Sequence, residues 1–179
     1  MQNIMKINSQ RLTLRPWHAD DLPSLIAMNR EPAVNLPLGG LSLVENSDSA
    51  LDNYQCHFAH YGWGVLHLTD RNGGFVGLAG LQPARATLPY APATEAVWRL
   101  RPEYWGQGLA IEALKTILDA LPATAEITEI LAVVAMPNLR SAATALRLGF
   151  RHDPERDFIY PDTSLDPTLR PHRIFILPR

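Results

Sequence analysis

The chain has 179 residues, 46% of them apolar and 19% charged, with a formal net charge of −2 and a pI near 6.3. This length suits one domain, spanning 1–179, with a sizeable core, and the near-neutral balance argues against a nucleic-acid or anionic-membrane partner. Cys56 is the only cysteine, so neither a disulfide framework nor a cysteine-based metal site is expected, and no apolar run approaches the ~18 residues of a spanning helix. Met1-Gln-Asn-Ile-Met-Lys6 carries no apolar export segment, which makes a cytoplasmic protein the default expectation.

Leu12-Thr-Leu-Arg-Pro16 reads as a short alternating strand closed by proline, and a helix follows from Ala19 to Met28 with Asp20 and Asp21 near its positive end. Glu31 to Gly40, with two prolines and two glycines, reads as a loop. Ser42 to His60 reads as one helix, with Leu43 or Val44, Leu51, Tyr54 and Phe58 as its apolar side. Gly62–Thr69 and Gly74–Leu81 are strands joined by Asp70-Arg-Asn-Gly73, whose Asn-Gly pair is a hairpin signal. Gly77 and Gly80 inside the second strand imply a bulge or a close backbone approach. After a proline-rich loop, Ala96, Trp98 and Leu100 alternate with Glu95, Val97 and Arg99 as in a half-buried strand.

Next comes a glycine turn, Trp105-Gly-Gln-Gly108, and then a helix whose apolar stripe is Ala110, Ala113, Leu114, Ile117, Leu118 and Leu121. Its first N–H groups lack internal partners and carry the positive end of the dipole, and the glycines ahead of them let an anion approach the backbone. A phosphate or pyrophosphate suits that place. No Gly-Lys-Ser/Thr follows, and Ile111 stands where a dinucleotide fingerprint needs its third glycine. Ile127–Ala135 is a strand covered on both faces. Asn138 to Leu148 is a short helix with Leu139, Ala142, Ala143 and Leu146 inward, and Gly149 is its C′ residue. The polar tail 151–170 leads into a last strand, 172–178.

Trp105-Gly-Gln-Gly-Leu-Ala-Ile-Glu-Ala113 resembles the acetyl-coenzyme-A pyrophosphate loop of the GNAT N-acetyltransferases. More narrowly, it is similar to the branch that includes the ribosomal-protein N-terminal acetyltransferases. Asn138-Leu-Arg-Ser141 followed by Arg147-Leu-Gly-Phe150 resembles the family's second motif, and the ending from Asp157 to Arg173 resembles the tail of one bacterial subgroup. The resemblance implies an α/β (α+β) fold: a mixed, mostly antiparallel twisted sheet, helices on both faces, and a splayed parallel strand pair holding CoA. It also implies acetyl-CoA as cofactor, with the backbone of Trp98 and Leu100 pairing with the pantetheine arm. N–H groups of Gly106, Gln107, Gly108, Ala110 and Ile111 would hold the pyrophosphate, and Asn138 would serve both as helix N-cap and as a pantetheine contact.

Acyl transfer to an amine needs a neutral amine and a proton for the departing thiolate. Glu95 is the candidate base, directly or through water, with bulk solvent as the alternative; Ser141 and Tyr160 are the candidates for the thiolate's proton. Glu112 reads as a structural capping carboxylate. His57 and His60 lack a metal-ligand set, Trp63, Trp98 and Trp105 read as core or cleft-wall aromatics, and Arg170, His172 and Arg173 read as a solvated edge strand.

The function expected is acetyl transfer from acetyl-CoA to a primary amine by direct attack. The partner is an amine acceptor, either a protein N-terminus or a small molecule, and a homodimer is compatible with the sequence. Acceptor specificity is expected in the 31–40 loop, the second helix and the 151–170 tail. A non-catalytic CoA-binding module is the alternative from another class, and an unrelated nucleotide-binding domain is disfavoured by the missing fingerprints.

Overall fold

The alternating segment ahead of the glycine turn forms the middle strand of a nine-stranded sheet. The computed structural model describes residues 6–179, so Met1–Met5, where the export segment was sought, lies outside the described residues. The strands are β1 (Ile7–Asn8), β2 (Leu12–Arg15), β3 (Val65–Asp70), β4 (Phe75–Pro83), β5 (Thr94–Leu100), β6 (Glu129–Ala135), β7 (Arg151–His152), β8 (Phe158–Ile159) and β9 (Pro171–Pro178). Their order is β1-β2-β3-β4-β5-β6-β9-β7, with β8 also on β9. Every pairing is antiparallel except β5 with β6.

That parallel pairing is brief. Only Thr94↔Ile130 and Glu95↔Leu131 are in register, after which the two strands part, and Ala96–Leu100 keeps β4 as its one strand neighbour. A backbone edge is therefore left open in the middle of the sheet, where an extended ligand can add as a strand would.

The helices are α1 (Leu22–Arg30), α2 (Pro32–Asn35), α3 (Leu41–Glu45), α4 (Ser47–Tyr61), α5 (Leu109–Asp119) and α6 (Leu139–Arg147). Leu109, Ala113, Leu114 and Ile117 of α5 pack on one face of the sheet with Leu12, Leu14, Leu66, Leu68, Ala96 and Leu100. On the other face Trp17, Leu25, Met28, Val34, Leu51, Val65 and Leu78 form a second core under α1 and α4. A register shift at Leu68/Thr69, opposite Gly77, lets Val76 share a face with Ala79 and Leu81 despite their different parity. A Cβ at Gly77 would strike the Arg99 carbonyl, and one at Gly80 the Gly64 carbonyl, so both glycines mark close backbone approaches. No helix of the described residues is long and apolar enough to cross a membrane.

Several elements differ from expectation. The segment from Ala19 begins with a 3-10 turn before α1, because Asp21 spends its carboxylate on Arg15 (2.7 and 2.8 Å) and the His18 N–H. The 31–40 segment holds α2 and a 3-10 turn, Leu36–Leu38, and the expected Ser42–His60 helix is two helices joined at Asn46. In α6 the sheet-facing residues are Ala142 and Ala145, followed by Leu148 just past its end, while Leu139 and Leu146 are 68% and 56% exposed and Ala143 is exposed too. β9 is no edge: it pairs with β6 on one side and β7 and β8 on the other, and the His172 ring packs between Phe158 and Tyr160.

Candidate active site

One groove of about 980 Å³ runs from the N-terminus of α5, past the open edge of β5 and the start of α6, to the 33–40 segment and the 164–169 tail. Its residues include Trp98, Leu100, Gly106, Gly108, Ala110, Ile111, Asn138 and Ser141, so the structure brings most of the sequence-predicted site together. Gln107 stands beside the lining, in the same turn; Glu95 and Tyr160 do not line the groove, and neither does α4.

The α5 end is made of backbone. Gly106 and Gly108 have φ of 74° and 75°, a left-handed conformation that favours glycine. A Cβ on Gly106 would meet nothing within 4 Å, and one on Gly108 only the Arg11 guanidinium, so both glycines face an open cradle. The N–H groups of Gly106, Gly108, Leu109, Ala110 and Ile111 find no backbone acceptor among the described residues. A row of free N–H groups on the positive end of an eleven-residue helix is suited to a phosphate. The cradle fits the pyrophosphate that the sequence implied.

Neighbouring side chains hold this turn in shape. The Glu112 carboxylate accepts from the Ser9 hydroxyl (2.6 Å), the Arg11 N–H (2.6 Å) and Arg11 Nε (2.7 Å), and Arg11 Nη1 donates to the Gln107 carbonyl (2.9 Å). Burial pushes the Glu112 pKa up, but those hydrogen bonds outweigh it and hold it below the ordinary value. Glu112 is thus structural, as a clamp to the 9–11 turn rather than as a cap of its own helix. Trp105 Nε1 donates to the Leu100 carbonyl at 2.8 Å, and the Arg140 guanidinium lies 3.9 Å above the indole. The Leu100 carbonyl therefore points away from β4 and, by the period-2 rule, Trp98 presents its backbone to the same open edge. Trp105 is more than a wall: it occupies one of the two lone pairs on an edge carbonyl.

Asn138 Oδ1 accepts from the Ser141 N–H at 3.1 Å, the N-cap expected. Ser141 lines the groove, and its hydroxyl makes no hydrogen bond among the described residues. Tyr160 is engaged elsewhere, its hydroxyl 3.4 Å from Arg85 Nη1 and its ring against Phe158 and His172.

Glu95, Val97 and Arg99 point to the α1/α4 face of β5, opposite the α5 core. Burial pushes the Glu95 carboxyl up to about 7, against the lowering pull of Arg85 and a hydrogen bond from Gln82. Arg99 projects into the groove, and nothing in the sequence marked it, since alternation alone does not say whether a strand arginine meets solvent or a cavity. Among the described residues no group of three or more His, Cys, Asp or Glu is placed to hold a metal ion.

Residues 11–151 match the acetyltransferase (GNAT) domain family. The chain belongs to that family. Its fold is shared by a GnaT-family acetyltransferase from Bordetella pertussis, with 24% identity, 96% of this chain and 98% of that one covered, and a TM-score of 0.77. It is shared as well by an acetyltransferase from Agrobacterium tumefaciens str. C58 (23% identity, 100% and 97% covered, TM-score 0.75). A third GNAT structure of the same fold is RimL, the ribosomal L7/L12 alpha-N-protein acetyltransferase, in complex with coenzyme A (16% identity, 97% and 98% covered, TM-score 0.75). The mixed sheet with its one parallel pair, expected from the resemblance, is the architecture of these GNAT proteins.

Proposed function

We propose that this GNAT protein, as a single domain, is an acetyl-CoA-dependent N-acetyltransferase that passes the acetyl group to a primary amine by direct attack. The observation that carries the proposal is the continuity of the groove. A phosphate cradle at Gly106–Ile111, an open strand edge at Trp98–Leu100 and a largely apolar end formed by the 33–40 and 164–169 segments line one cavity. The complex of RimL with coenzyme A supports the same ligand here.

In this reading the N–H groups of Gly106, Gln107, Gly108, Ala110 and Ile111 bind the pyrophosphate, and the backbone of Trp98 and the Leu100 N–H orient the pantetheine arm. Asn138, already the N-cap of α6, turns its amide to the same arm. Acetyl-CoA supplies an acetyl group activated as a thioester. Ser141 holds a hydroxyl proton in the groove for the departing sulfur. Glu95, off the groove lining, takes the proton shed by the amine through water; its raised pKa, near neutrality, suits a group that must accept that proton at pH 7. The free Ser141 hydroxyl and the open acceptor end favour turnover over a non-catalytic CoA-binding role.

The test is thiol release from acetyl-CoA with a broad panel of amines, with acetylated product confirmed by mass. Amine-dependent release is expected. Tight acetyl-CoA binding with no release for any amine, peptide N-termini included, would overturn the catalytic reading.

A further inference from the structure

The end of the groove away from α5 is lined largely by apolar residues, with the Arg99 cation among them; Ser164, Asp166 and Thr168 are its polar members from the tail, and Asp166 Oδ1 is spent on the Thr168 N–H (2.8 Å) and hydroxyl (2.6 Å). Val34, Leu36, Pro37 and Leu38 of the 33–40 segment and Leu165 and Leu169 of the tail line that end, and Arg99 of β5 reaches the same groove. Its Nη1 donates to Asn29 Oδ1 at 2.8 Å, while its Nε is buried with no partner among the described residues. A guanidinium carries five N–H donors, so most of this one's capacity is unspent.

The cation is also without a counter-charge. No Asp or Glu of the described residues pairs with Arg99; the Tyr54 phenol favours its charged form, against a larger desolvation that disfavours it. Arg99 is half-buried with its Nε fully so, and a charge in such a place, without a counter-ion of its own, gains from an anionic ligand.

The support around Arg99 is built to aim it. Asn29 is 1% exposed, and its amide nitrogen donates to Ser47 Oγ (2.9 Å) and the Leu43 carbonyl (3.4 Å), which turns its oxygen toward the guanidinium. Ser47, also 1% exposed, donates in turn to the Leu43 carbonyl at 3.2 Å. Two helices thus spend buried polar groups on fixing one strand arginine at the cavity.

We infer that Arg99 binds a carboxylate on the acceptor, which is a small primary amine with an apolar body and a carboxylate, such as a free amino acid with an apolar side chain. The inference rests on the N-acetyltransferase reading and narrows its substrate class. Planar guanidinium–carboxylate pairing supplies the affinity, and the leucines of the 36–38 and 165–169 segments take the side chain. The phosphates of the cofactor have their own cradle at Gly106–Ile111, at the other end of the groove.

Matched pairs test it: leucine against isoamylamine and leucinamide, and phenylalanine against phenethylamine, each in wild type and in Arg99→Met and Arg99→Gln. Turnover is read by thiol release, binding of the N-acetylated products in the presence of CoA by calorimetry, and acetyl-CoA binding by thermal shift. The expected result is that wild type prefers the carboxylate member of each pair by about 30-fold or more in kcat/KM. That preference collapses in both variants, while acetyl-CoA binding is unchanged. A purely structural arginine would leave the preference intact in both variants, whatever happens to the melting temperature once Asn29 loses its donor, and that result overturns the proposal. Equal use of carboxylate and non-carboxylate amines, or preferential use of a C-terminally amidated peptide, overturns it too and leaves the acetyl-CoA reading standing. Absence of acetyl-CoA binding in wild type removes both.

Discussion

The two ends of the groove are built from different materials. At Gly106–Ile111 the unpartnered groups at the groove, among the described residues, are backbone N–H donors, held by a glycine turn, a helix start and the Glu112–Arg11 clamp. At the other end the lining groups are side chains: leucines from two segments far apart in sequence, and one guanidinium fixed by Asn29. A backbone cradle reads shape and charge, which are the same for every bearer of a pyrophosphate. A side-chain pocket reads the identity of one acceptor, and a few substitutions change it.

The sharpest way to break this contrast is Gly108→Val. At φ 75° a β-branched residue costs about 1–3 kcal/mol of strain, and its side chain stands in the cradle. Acetyl-CoA affinity is expected to fall at least about a hundredfold in calorimetry, with the circular dichroism spectrum of the fold retained. Glu95→Gln comes next. With the carboxyl at about 7, kcat/KM of the wild type rises with pH through that value, and a second rise follows the amine's own deprotonation. The variant is expected to lose the first limb and about a hundredfold in rate, while keeping the second limb.

The same raised pKa makes Glu95 a cost to stability. The folded state binds the proton more tightly than the unfolded chain, so the stability is full below the ordinary value of 4.5 and falls as pH climbs to about 7. Glu95→Gln flattens that slope in urea titrations run across the interval.

Smaller effects sharpen the comparison at its hinge. Trp105→Phe removes the donor to the Leu100 carbonyl and is expected to raise KM for acetyl-CoA a few-fold, with little change in acceptor KM. Glu112→Gln loosens the 9–11 clamp. Its pKa is held low, so its contribution is present above pH 4.5 and lost as pH falls through the lowered folded value. A loss of about 1 kcal/mol at pH 7 is expected from chemical denaturation, with only a slight fall in acetyl-CoA affinity.

The same difference in materials explains what could be read in advance. The Trp105–Ala113 string, the alternation of β5 and the Asn138 cap are local patterns, in which function follows from backbone geometry that a few residues dictate. Arg99 is different. Its charge is ordinary in the sequence, and it stands out only because α1 delivers Asn29 to it across 70 residues of chain and the 33–40 segment lines the same groove. Leu139 and Leu146 misled for a related reason. Hydrophobicity suggested an inward stripe on α6, but the sheet takes the small face of Ala142 and Ala145, which lets the helix lie close. His172 and Arg173 looked like an edge because β7 and β8 are two-residue strands, too short to announce themselves.

The most direct measurement of the central claim is a thermal melt of the wild type with acetyl-CoA, with CoA, ATP and NAD as comparators and Gly108→Val as control. At a ligand concentration ~100 times the dissociation constant, mass action adds about 2.7 kcal/mol. For a domain of this size that is a shift of roughly 5–10 °C. The groove as described predicts such a shift for acetyl-CoA and CoA in the wild type, with none for NAD and a strongly reduced one in Gly108→Val. No shift with saturating acetyl-CoA, or an equal shift with NAD, would contradict it.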